Sequence, residues 1–92
     1  MESLFHTTGK GERALDAYFE GNAALPIPFY SVLLAARDGI DFTGLLKAAR
    51  SFEWMGERVS QPPGKAASTV LKLMDNGYID EVGEVEFEEF ED

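Results

Sequence analysis

Four prolines in two close pairs decide most of what this chain can fold into. Pro26 and Pro28 push the residues before them toward extended backbone, so Leu25-Pro26-Ile27-Pro28 cannot lie inside a helix, while Pro28 suits the first turn of one that follows. Ser60-Gln61-Pro62-Pro63 must likewise break any helix that reaches it. Helices are therefore expected as separate short pieces between these breaks. From Glu12 to Glu20 the apolar residues Ala14, Leu15, Tyr18 and Phe19 form one stripe of a helix that ends at Gly21-Asn22. A second helix is expected from about Pro28 to Arg37, with Phe29, Val32, Leu33 and Ala36 on one face and Asp38-Gly39 at its end.

Ile40-Asp41-Phe42 reads as a short apolar step, and Thr43 as the N-cap of the next helix. From Gly44 the apolar residues step helically to about Arg50. The pattern leaves open whether this helix continues through Phe52-Glu53-Trp54-Met55 before Gly56 stops it. Lys65 to Asp75 is the clearest helix, predicted to bury Ala67, Val70, Leu71 and Met74 and to leave Lys65, Ser68, Thr69 and Lys72 outward, with Asn76-Gly77 as its cap. After Tyr78-Ile79, Val85 and Phe87 alternate with acids at period two, and Gly83-Glu84 is expected to turn a hairpin.

Ninety-two residues make one small domain, and 45% hydrophobic content with seven Phe, three Tyr and one Trp is too apolar for a disordered chain. The expected organisation is a flexible arm over 1–11, one domain over 12–88 and a frayed acidic end over 89–92. The expected class is α+β: a mostly helical domain of three to four helices with a C-terminal β-hairpin. No cysteine is present, which fits a reducing compartment, and the N-terminus has neither the basic start nor the apolar run of a signal peptide. A cytoplasmic location without membrane contact is the expectation.

Helix, extended step at Ile40-Phe42, helix, and then Ser68-Thr69-Val70-Leu71-Lys72-Leu73-Met74-Asp75-Asn76-Gly77-Tyr78-Ile79 leading to a hairpin resembles the winged helix-turn-helix family, over about residues 28–87. The resemblance implies that Gln61, Lys65, Ser68, Thr69 and Lys72 would face DNA bases and phosphates. It also implies a wing over the last residues, and there the chain departs from the family. Eight of the residues from Asp80 to Asp92 are acidic and none is basic, whereas the rest holds 8 Lys and Arg against 9 Asp and Glu. Acids where a wing would meet phosphates subtract from DNA affinity.

The acidic run has three readings: a solubilising tail, a docking face for a basic surface, or a mask over Lys65 and Lys72. The leading expectation is a non-enzymatic acidic protein that modulates or inhibits a partner with a basic, nucleic-acid-binding surface, in the manner of a DNA mimic. Glu81, Glu84, Glu86, Phe87, Glu88, Glu89 and Phe90 would form its contact face, and in charge it resembles small acidic phage and mobile-element proteins. The alternatives are a winged-helix DNA-binding regulator acting through Gln61, Lys65, Ser68, Thr69 and Lys72, or a structural assembly subunit, as monomer or homodimer.

Arg37, Lys47, Arg50, Arg58, Lys65 and Lys72 would make a basic patch only if the middle helices converge, and scattered solvated charge is the plainer reading. Trp54 reads as a plug of the core rather than a binding hot spot. No catalytic residue, cofactor or metal is expected. His6 is the single histidine, and Thr8-Gly9-Lys10-Gly11 resembles a phosphate loop only in its Gly-Lys pair.

Overall fold

A computed structural model of the chain describes residues 3–83. In order, the elements are β1 (Leu4–Thr7), α1 (Gly9–Phe19), α2 (Ile27–Ala35), α3 (Phe42–Arg50), β2 (Ser51–Trp54), β3 (Glu57–Ser60), α4 (Pro63–Asp75) and β4 (Ile79–Gly83). This is an α+β domain with four helices and two small antiparallel sheets, one pairing β1 with β4 and the other β2 with β3. Leu15 of α1, Tyr30, Val32 and Leu33 of α2, Leu45 of α3 and Val70 and Leu73 of α4 are buried together with Ile79 of β4. The helices thus close on one core, with the β1–β4 sheet along its side.

Residues 4–11, expected as a flexible arm, are β1 and the first turn of α1. Phe5 pairs with Glu81 and Thr7 with Ile79, while on the other side Phe5 exchanges backbone hydrogen bonds with Ile40 at 2.8 and 3.0 Å. β1 therefore lies between Ile40 and β4. Thr7, buried at 6% exposure, donates its hydroxyl to the Leu33 carbonyl at 2.6 Å and its amide to that of Ala36 at 3.1 Å. Those two bonds satisfy carbonyls at the C-terminal end of α2, where helices leave them free.

α3 begins earlier than its sequence suggests. Its N-cap is Asp41, whose carboxylate accepts from the Gly44 amide at 2.8 Å, and Thr43 lies within the first turn. It ends at Arg50, and the segment left open between helix and break is the β2–β3 hairpin. Met55 and Gly56 form its tip with φ of 54° and 85°. Positive φ at both central residues is the pattern of the tight type I′ turn, which matches the twist of the strands it joins. Gly56 enters this region without strain, but Met55 does not.

The apolar face of α4 is rotated from the expected one. Ala66, Thr69, Val70 and Leu73 are the buried residues, and Leu71 is 51% exposed. Gly83, expected to turn a hairpin, closes β4 opposite Leu4. The expected second strand, Val85 to Glu88, and the frayed end 89–92 lie outside the described residues.

Candidate functional site: the clefts beside α3 and α4

Gln61 joins the two helices that carry the candidate side chains. Its backbone amide donates to the Arg50 carbonyl at 2.8 Å and its side-chain amide to the Ala49 carbonyl at 2.7 Å. Both acceptors belong to the last turn of α3, which has no following turn to bond them. The chain then enters α4 through Pro62 and Pro63, and among the described residues no side chain caps the amides of its first turn. The partial positive charge of that helix end is left uncompensated.

Gln61, Lys65, Ser68, Thr69 and Lys72, five residues separated by helical spacing in the sequence, line one cleft of about 210 Å³ whose other wall is Pro26, Pro28 and Phe29. Lys65, Ser68 and Lys72 are exposed. Thr69 is the exception: at 5% exposure it is part of the cleft floor, and its hydroxyl donates to the Lys65 carbonyl one turn back at 3.0 Å. That hydroxyl is spent within α4, so Thr69 shapes the cleft rather than reaching out of it.

A second, more open cleft of about 400 Å³ is lined by Lys47, Arg50, Ser51, Ser60 and Gln61. Gln61 belongs to both, so Lys47, Arg50, Lys65 and Lys72 border two adjoining hollows. Among the described residues, no acid lines either one. Lys47 and Arg50 also stand in the last turn of α3, where cations favourably meet the negative end of the helix dipole. The other two members of the expected patch are elsewhere. Arg37 is paired with Glu12 at 3.1 Å, and Arg58 reaches Glu53 at 3.8 Å on the β2–β3 hairpin.

Of the acidic candidates, Glu81 is exposed on β4 beside exposed Asp80. Glu84, Glu86, Phe87, Glu88, Glu89 and Phe90 lie outside the described residues. Among those described, no group of three or more His, Asp or Glu is placed to hold a metal ion, and no helix is long and apolar enough to cross a membrane. His6 is exposed on β1 and lines neither cleft. Lys10, far from any phosphate loop, donates to the Asn76 carbonyl at 2.7 Å and lies 4.7 Å over the Tyr78 ring. It fastens α1 to the end of α4.

The second wall of the α4 cleft was not legible in the sequence. Pro26, Pro28 and Phe29 face α4 only because α2 and α4 pack together, a pairing that periodicity within either helix does not encode. In comparisons with known proteins, no family model, no curated protein and no solved structure matches this chain.

Proposed function

We propose that this chain is a non-enzymatic binding module that grips the phosphate backbone of a nucleic acid with the exposed face of α4 and the end of α3. The observation that carries this reading is the convergence of Gln61, Lys65, Ser68 and Lys72 on one cleft that adjoins the Lys47–Arg50 cleft, with no acid among the described residues lining either. Cations that no described carboxylate pairs with are available to phosphates. The sequence α2, Ile40 step, α3, α4, β4 supports a winged-helix mode, in which α4 is the reading helix. Two features depart from that mode: the β2–β3 hairpin separates α3 from α4, and β4 pairs with β1.

Four cations released onto four phosphates imply a log–log salt slope of about −3.6, so affinity falls on the order of 150-fold between 50 and 200 mM salt. The net charge of −9 opposes the encounter, which makes low salt the regime in which binding is expected. The test is fluorescence anisotropy with a labelled duplex at several salt concentrations. Lys65→Ala with Lys72→Ala should flatten the slope by about 2. Absence of binding at low salt, both by the whole chain and by a chain lacking residues 84–92, would sink the reading.

A second reading keeps the acidic run as the contact face, engaging a basic protein surface as a DNA mimic. It is favoured by Asp80 and Glu81, which are exposed and begin the run on β4. Under it, the duplex stays unbound and removal of residues 84–92 abolishes capture of a basic nucleic-acid-binding protein.

A further inference from the structure

Away from the clefts, the C-terminal end of α1 and the tip of the β2–β3 hairpin are locked together by aromatic side chains. The indole N–H of Trp54 donates to the Tyr18 hydroxyl at 2.9 Å, and the two rings lie 5.6 Å apart. Tyr18 in turn lies 4.6 Å from the Tyr30 ring, whose hydroxyl accepts from the Ala24 and Leu25 amides at 2.9 Å each. These contacts tie α1, α2 and the β2–β3 hairpin together at this end of the molecule.

On that frame stand two large apolar side chains with no described role in the core. Phe19, 5.5 Å from the Tyr18 ring, is 62% exposed, and Met55, next to Trp54, is 89% exposed. Met55 also holds a left-handed backbone conformation that Gly, Asn or Asp would occupy at lower cost. A strained, solvent-facing methionine is a poor choice for folding alone, which directs attention to recognition. The flanking charges are mostly acidic: Asp16, Glu20, Glu53 and Glu57 are all exposed, and the one nearby cation on the hairpin, Arg58, reaches Glu53 at 3.8 Å.

We infer that Phe19 and Met55, seated on Tyr18 and Trp54, are a docking surface for a cationic amphipathic helix of another protein. Its apolar side chains would cover Met55 and Phe19, and its Lys or Arg residues would meet Asp16, Glu20 and Glu57, the flanking carboxylates that form no ion pair with a described residue. Charge complementarity selects this occupant over a second copy of the chain, since a two-fold contact would set four acids and one arginine against the same net negative set. The inference is independent of the phosphate-binding proposal, which uses other residues.

Trp54 is the chain's single tryptophan and reports directly on this surface. The probe is an 18-residue helical peptide of Leu and Lys in amphipathic spacing, with a Leu and Glu peptide as its counterpart, titrated into the full chain. The cationic peptide should bind saturably and shift Trp54 emission to the blue, while the anionic one should not. Met55→Gly and Phe19→Ala should each weaken binding tenfold or more. Met55→Gly removes backbone strain, so its melting temperature should equal or exceed the parent's, which separates lost binding from lost folding. Equal binding of both peptides, or none, overturns the inference. So does full-strength binding by Met55→Gly, which would place the peptide on the acidic C-terminal run instead. Concentration-dependent self-association that Met55→Gly removes would assign the surface to a second copy and overturn it as well. Lys65→Ala with Lys72→Ala should leave peptide binding unchanged, and Met55→Gly should leave nucleic-acid binding unchanged.

Discussion

Gly11 has the tightest surroundings among the described glycines. A Cβ added there would stand 2.5 Å from both the Thr7 Cγ2 and the Tyr78 carbonyl oxygen and 3.1 Å from Leu33 Cδ2, so α1 can lie against β1 and the α4–β4 turn only without a side chain. Backbone oxygen cannot move aside as a side-chain tip can. Gly11→Ala is expected to destabilise the fold by about 1–3 kcal/mol, measured by urea unfolding with unchanged m-value. Gly64→Ala is the control: nothing lies within 4 Å of its added carbon, and stability should hold or rise by up to about 1 kcal/mol in the helix. In the sequence, Gly9 and Gly11 signalled a loose arm. The inference failed because a glycine that frees a backbone and a glycine that admits a neighbour look alike until the neighbour is known.

Among the elements, helix positions were legible and helix faces were not always. α2 and α4 lie close to their expected spans because proline entrances and glycine or asparagine exits act locally. The buried stripe of α4 differs from the expected one by about one residue, since Leu71 looks apolar but packing selects Ala66, Val70 and Leu73. Small residues let α3 and α4 come close, and the sequence does not rank that against burying one more leucine. The β2–β3 hairpin was hidden for another reason: its tip carries Met where Asn or Asp would have announced a turn. α3 starts from Asp41, whose carboxylate caps the Gly44 amide. Asp41→Ala should lower stability by about 1 kcal/mol and reduce helical ellipticity little, as read by thermal melting followed by circular dichroism.

At the scale of the molecule, charge separates along the chain more than it cancels. Residues 84–92 hold six acids, and removing them changes the net charge from −9 to −3. On the phosphate-binding proposal, this truncation should raise duplex affinity at 50 mM salt, and the gain should shrink at 200 mM as screening tightens to about 8 Å and below. A gain independent of salt would mean that the segment acts other than by charge. The fold class was legible from composition and breaks. The clefts were only half so: helical spacing named one wall, while the other wall, and the junction through Gln61, exist only once α2, α3 and α4 pack together. The pairing of β1 with β4 also has a consequence for synthesis. Leu4–Thr7 is translated before every other element described, yet its partner Ile79–Gly83 follows more than seventy residues later. At about 5–20 residues per second, the first strand waits seconds for its neighbour. Throughout that interval Thr7 has no Ile79 opposite it and the β1–β4 sheet cannot close, so the domain is completed only once its last described strand has been made.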